Sequence, residues 1–227
     1  MPAPFDLSQT DKLLSTTRSV RKRLDLTAPV DLDEIQRCIE IACQAPTGGN
    51  VQDWRWIVVT DQAKRQALAD LYNRTAIPYF AANRASIAER GVQHMDGILD
   101  SGEHLGRVLH DVPVHIVPCI YGRPEDMDVF TRASWYGRIY PAVWSLILAL
   151  RSRGYGTTLT TLHLPLESEA AELLGVPATV HQAALLPVAR YTGDDINPGR
   201  RRPVAEVTYW DTWKRTRISQ GLDVSGR

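Results

Sequence analysis

Between Gly137 and Arg153 the chain carries Ile139, Val143, Leu146, Ile147 and Leu150 at helical spacing, closed by Gly154. These apolar residues wrap most of the way round the helix, which predicts a buried helix at the centre of the fold. The rest of the chain must be arranged around it. Asp31 and Glu34 form a capping box after Pro29, and Ile35, Cys38, Ile39 and Ala42 follow, predicting a helix over 31–44 with Cys38 in the core. A helix over 8–23 ending in a basic cluster, one starting after the cap Asp61, and one over 169–174 closed by Gly175 complete the helical readings. Strands are expected at 54–60, 112–121, 156–162 (threonine-rich), 182–191 and 204–210. From 76 to 109 the pattern blurs, interrupted by Pro78, Gly91, Gly97, Gly102 and Gly106, as in a lid or binding excursion. The whole reads as a single α+β domain over 1–227, its tail at 220–227 frayed.

Composition narrows the function. Lys+Arg and Asp+Glu both number 26, so no global field draws nucleic acid or an anionic membrane, and an anion site has to be local. The longest apolar stretches are far too short to span a bilayer, and the start MPAPFDLSQTDK has no secretory pattern, so a cytoplasmic protein is expected. Cys38, Cys43 and Cys119 make neither a disulfide framework nor a CxxC pair. The six histidines, His94, His104, His110, His115, His163 and His181, show no metal spacing, so no metal is expected.

Three short motifs remain. Thr17-Arg18-Ser19-Val20-Arg21 offers two guanidinium groups and a hydroxyl within one turn, which suits a phosphate. Ala45-Pro46-Thr47-Gly48-Gly49-Asn50-Val51-Gln52-Asp53-Trp54 follows a helix and precedes a strand. Gly48 and Gly49 let its backbone approach a flat ligand, while Thr47, Asn50 and Gln52 can bond a ring's oxygens and nitrogens. A plain helix C-terminus with glycines past its last turn reads the same residues differently. Arg200-Arg201-Arg202-Pro203 is a second basic cluster, or a solvated basic turn. Gly154-Tyr155-Gly156 follows a helix and lacks a third glycine, against a dinucleotide fingerprint. No nucleophile or proton-transfer dyad is evident. Anion-binding arginines without acid–base machinery suggest a cofactor that does the chemistry.

Taken in order, these motifs resemble the FMN-dependent nitroreductase superfamily, which includes nitroreductases, iodotyrosine deiodinases and a flavin-cleaving enzyme. Arg138-Ile139-Tyr140-Pro141-Ala142, the run Gly154 to Thr161, and Leu173-Leu174-Gly175-Val176-Pro177 leading to Ala184-Leu185-Leu186-Pro187-Val188-Ala189 carry the same resemblance, which covers about residues 12–211. It implies a central mixed β-sheet flanked by helices and an intertwined homodimer with FMN at the interface. By position, Arg18, Ser19 and Arg21 hold the phosphate and a C-terminal arginine closes over it; counting back from Pro203 favours Arg201 over Arg200. Pro46, Thr47, Gly48 and Asn50 lie against the ring held by the partner subunit. Thr158, Thr160 and Thr161 fall near flavin N5; strand alternation lets only part of the 157–161 run touch the ring, and β-branched packing is the alternative for each threonine. A C-terminal arm over about 204–219 crosses to the partner.

Asp53 departs from the proline common in relatives, which is expected to loosen that turn. The implied activity is transfer from NAD(P)H to nitroaromatic or quinone-like acceptors by ping-pong, with no catalytic side chain because flavin N5 carries the reaction. The alternatives are a reductive dehalogenase or flavin-cleaving enzyme of the same superfamily, or a flavin-storage protein without turnover. The Glu, Tyr and Lys with which deiodinases clamp a zwitterion are not recognisable, although Tyr72, Tyr79 and Arg74 are nearby.

Overall fold

The computed structural model describes residues 4–90, 96–193 and 196–216; the expected frayed tail, the last residues of the arm (217–219), Gly91 and His94 lie outside them. In chain order the elements are α1 (Leu7–Thr16), β1 (Leu24–Asp25), α2 (Leu32–Ala42), β2 (Trp54–Val59), α3 (Gln62–Arg90), α4 (Asp96–Val108), β3 (Val114–Tyr121), α5 (Val129–Ser152), β4 (Tyr155–Thr157), α6 (Glu167–Leu174), β5 (Val180–Gln182), β6 (Leu186–Tyr191) and α7 (Val204–Val207).

The strand β3 organises the sheet. On one side it pairs with β2, from Trp54 opposite Ile120 to Val59 opposite His115. On the other it pairs with β6 at Val114–Val188 and with β5 at Tyr121–Val180. The strand expected over 182–191 is therefore split at 183–185, and Leu185 turns aside to bridge Thr160. Strand β6 also pairs with β4 and β1. Every pairing among the described strands is antiparallel, so within this one chain the sheet has no parallel component.

One core lies between α2 and α5, where Ile35, Cys38, Ile39 and Ala42 meet Ile139, Val143, Leu146 and Leu150. A second packs Tyr72, Ala76 and Phe80 of α3 with Leu99 and Leu105 of α4 against Val117, Leu185 and Ala189 of the sheet. The central helix expected at 137–153 starts earlier, at Val129, because the Asp128 carboxylate caps it and accepts from Thr131 N at 3.0 Å. It is also not enclosed. Gly137, Pro141 and Trp144 stay exposed, leaving an apolar stripe along α5.

Other expectations need correction. The described residues of the blurred segment lie in two helices, α3 and α4, packed antiparallel. Pro78 is accommodated inside α3, and two glycines of α4 are contact points rather than breaks: a Cβ on Gly102 would lie 2.4 Å from Phe80 Cζ, and one on Gly106 2.6 Å from Asn73 Oδ1. Asn73 Nδ2 donates to Gly106 O at 2.9 Å, and Arg84 joins the helices through Asp100 at 2.6 Å and Glu103 at 2.7 Å. The strand expected at 204–210 is instead the short helix α7, with no strand partner to hold it extended. At 31–44 only half of the capping box forms. Asp31 Oδ1 accepts from Asp33 N and Glu34 N, but Asp31 N donates to Tyr155 Oη, and Glu34 is drawn away to Arg190.

Buried polar groups give the fold a pH dependence. Burial would raise the Glu167 carboxyl, but bonds from His181, Arg123 and Gln182 N override it and hold the pKa at about 2. Burial pushes His163 and His115 down to about 4. Both histidines are thus folded neutral: their stabilisation is complete above the ordinary 6.5 and is lost as pH falls towards about 4. That of Glu167 is complete above 4.5 and is lost between there and about 2. Stability, and with it the melting temperature, is therefore expected to fall in two stages on acidification. Calorimetric scans across pH check this; a constant melting temperature from pH 7 to 4.5 would contradict the histidine stage.

Candidate functional site

The N-terminal arginines owe their geometry to two threonines. Thr16 and Thr17 hydroxyls donate back to Lys12 O and Leu13 O, each at 2.6 Å, and Thr17 adopts extended backbone, so α1 stops there. Arg18 and Ser19 consequently lie beyond the helix and Arg21 at a bend, not within a helical turn as the sequence suggested. Val20 N donates to Thr157 O at 2.9 Å, which lays this segment beside β4. Gly156 permits the approach, since a Cβ there would fall 2.8 Å from Val20 Cγ1. With Val20 turned inward, Arg18, Ser19 and Arg21 line a cavity of about 480 Å³ whose far wall is Gly97 and Ser101 of α4, with Ile196 and Asn197.

Arg201 arrives at the same place from the other end of the chain. A Cβ on Gly199 would lie 2.6 Å from Arg201 Nη1 and 3.1 Å from Arg18 Cζ, so the two guanidinium groups close together over this glycine. Arg200 enters through its carbonyl, which accepts from Arg201 Nη1 at 3.0 Å. Among the described residues no carboxylate pairs with Arg18, Arg21 or Arg201. Burial opposes the charge on Arg21, against the attraction of Tyr72. Converging cations, one of them half-buried and none paired with a carboxylate among the described residues, are the donor set that a bound anion would need.

Tyr72 links this site to the threonines. It is fully buried on α3; burial raises its pKa, while a hydrogen bond to Thr160 and the charge of Arg21 act the other way. The threonine-rich strand ends at Thr157, shorter than expected, and beyond it only Thr160 is tied to the sheet, exchanging backbone bonds with Leu185 at 3.0 and 2.8 Å. Thr158 and Thr160 are buried, and Leu159 and Thr161 exposed. The hydroxyls of Thr157 and Thr158 are buried without partners, which leaves hydrogen-bonding capacity for a ligand.

The 46–50 loop is not a helix C-cap. Helix α2 has already ended at Ala42, capped by Cys43, and the glycines lie in a separate 3₁₀ turn, Gly48–Asn50. Gly49, Asn50 and Gln52 have φ of 63°, 54° and 50°, a left-handed run braced by Gln52 Nε2 donating to Asn50 Oδ1 at 2.8 Å. A Cβ on Gly48 would meet nothing within 4 Å. Pro46, Gly48 and Asn50 are exposed, whereas the Thr47 hydroxyl is buried and unpartnered. This loop does not line the arginine cavity; within one chain the two halves of the expected site are apart.

The profile of the nitroreductase family matches residues 14–190. The chain belongs to the nitroreductase family. An NADH dehydrogenase of Thermus thermophilus is 26% identical over 209 residues, covering 85% of this chain and 91% of that protein. The FMN-dependent nitroreductase NfnB of Mycobacterium smegmatis, solved with NADPH, superposes with a TM-score of 0.66 at 18% identity, over 91% of this chain and 100% of its own. Iodotyrosine deiodinase bound to FMN and 3-iodo-L-tyrosine superposes at 0.64 with 20% identity, over 88% and 98%. At these identities the structural likeness establishes the nitroreductase fold.

Two contacts here join residues that no local pattern of the sequence links. Tyr72, noted in the sequence only for its nearness to the 76–109 segment, bonds Thr160 and lies beside Arg21. Asp53, expected to loosen its turn, is instead tied to Arg138, with Nη1 3.0 Å from Oδ2. Among the described residues no group of three or more His, Cys, Asp or Glu is placed to hold a metal ion, and no helix is long and apolar enough to cross a membrane.

Proposed function

We propose that this chain is an FMN-dependent NAD(P)H oxidoreductase that reduces nitroaromatic or quinone-like acceptors by ping-pong turnover. The observation that carries the reading is the convergence of Arg18 and Arg201 over Gly199, beside a half-buried Arg21 that no carboxylate among the described residues neutralises. That donor set fits a phosphate monoester, and the free hydroxyls of Thr157 and Thr158 fit a polar ring edge. FMN, when bound, supplies hydride acceptance and donation at its N5. Everything assigned to the protein is binding and orientation: Arg18, Ser19, Arg21 and Arg201 hold the phosphate, Arg200 braces Arg201, and Thr158 and Thr160 border the ring. Thr161, being exposed, is assigned to the open side of that border. Pro46, Thr47, Gly48 and Asn50 cover the ring of the partner subunit.

The same reading makes the protein a homodimer and one FMN-binding domain. The exposed stripe of Gly137, Pro141 and Trp144 on α5 and the exposed Val204, Val207, Trp210 and Trp213 of the C-terminal arm support it, because apolar surface of this extent marks an interface. Three free cysteines suit a reducing compartment, the cytoplasm. Dehalogenation ranks lower: Arg74, a candidate zwitterion clamp, is occupied by Glu169, and Tyr79 packs edge-on against Phe80.

The test is anaerobic stopped-flow mixing of FMN-loaded protein with NADH and with NADPH. Bleaching of the flavin band by at least one nucleotide, and its return on adding a nitroaromatic or a quinone, is the expected result. Yellow protein that neither nucleotide bleaches would mean storage rather than turnover.

A further inference from the structure

The turn from the 46–50 loop into β2 holds a charged pair that the proposed reaction does not use. Asp53 Oδ2 lies 3.0 Å from Arg138 Nη1, with side chains only 12% and 21% exposed. The second oxygen, Asp53 Oδ1, and Arg138 Nε are buried with no hydrogen-bond partner. The backbone around the pair is already fixed without it: Tyr121 N donates to Asp53 O at 3.2 Å, and Trp135 Nε1 donates to Tyr121 O at 2.8 Å. Two desolvated charges sharing a single contact, each with an idle polar atom, make a poor stabilising device. Uncharged residues would hold this turn at least as well. What the pair does supply is a matched set of opposite charges next to Gln52, whose side chain braces Asn50.

We propose that Asp53 and Arg138 are positioning residues that set the electrostatic environment of the ring covered by the 46–50 loop, with Asp53 cancelling the positive charge that Arg138 places there. The inference rests on the FMN reading of that loop. A bare positive charge beside the ring favours its reduced, electron-rich form, and a bare negative charge disfavours it; in a water-poor interface such a charge is weakly screened.

The experiment measures the midpoint potential of FMN-loaded Asp53→Asn, Arg138→Gln, the double variant and Arg138→Lys, with a melting curve for each. Asp53→Asn is expected to shift the reduction equilibrium about tenfold towards the reduced form, about 30 mV for a two-electron couple. Arg138→Gln is expected to shift it oppositely by a similar factor, the double variant to return near the wild type, and Arg138→Lys to leave it unchanged. Shifts of the same sign in both single variants, or lowered melting with no shift, would overturn the proposal and leave a plain structural tie. If Arg138→Gln does not fold, Asp53→Asn against the charge-keeping Asp53→Glu makes the same comparison: equal potentials overturn the proposal. A wild-type protein that takes up no FMN defeats the underlying reading, a result distinct from all of these.

Discussion

Replacing Arg21 by alanine is expected to weaken FMN binding about a hundredfold while leaving the protein folded. The two halves of this expectation have opposite signs. In the free protein burial opposes the charge on Arg21, and no acid among the described residues repays it, so its removal leaves the melting temperature unchanged or raised. In the bound protein the same guanidinium meets the phosphate in a partly dry site, where charge-assisted bonds are strong. Arg18→Ala is expected to act similarly, and non-additively with Arg201→Ala, because the two groups lie side by side over Gly199. Fluorescence titration with FMN beside melting curves of the free protein reads both. Wild-type affinity in Arg21→Ala would remove the phosphate assignment.

The second large effect is expected from Trp144→Glu. Trp144 is 46% exposed in a stripe with Gly137 and Pro141, on a helix whose opposite face is fully packed. An unpaired charge buried in an interface costs about 2–5 kcal/mol, enough to weaken a dimer roughly thirtyfold to several thousandfold. The variant should run as a monomer by light scattering. On the reading proposed above it should also lose FMN although its own arginines are intact, because the partner's 46–50 loop would no longer cover the ring. A wild-type protein that is already monomeric would end the dimer reading, and a dimeric Trp144→Glu would move the interface off α5.

Sequence legibility followed from where a residue's preference and its packing agree. Helix α2 could be read because the Asp31 cap and the spacing of Ile35, Cys38, Ile39 and Ala42 point the same way. The pair α3 and α4 could not, because Pro78 and three glycines count locally as breakers. Only the partner helix reveals that Gly102 makes room for Phe80 and Gly106 for Asn73. The arginine cluster was misplaced as structure: two back-bonding threonines end the helix, and Thr157 O on the sheet edge accepts from Val20 N. Alternation over 204–210 suggested a strand, yet a strand needs a neighbour, and none pairs with that segment among the described residues. Asp53 and Arg138 are far apart in sequence, and no local rule joins them.

The meeting of Arg18 and Arg201 over Gly199 also bears on the order of assembly. Arg18 is synthesised well before Arg201, so on the FMN reading proposed above the phosphate cradle cannot form until both segments are in place. Before then the cofactor would have half a site and could not template the early fold. Afterwards it would tie together two segments distant in sequence. At a free concentration one hundred times its dissociation constant it adds about 2.7 kcal/mol to the folded state. On that reading, flavin supply in the cell would set how much of the folded protein escapes proteolysis, making the vitamin a determinant of abundance as well as of activity.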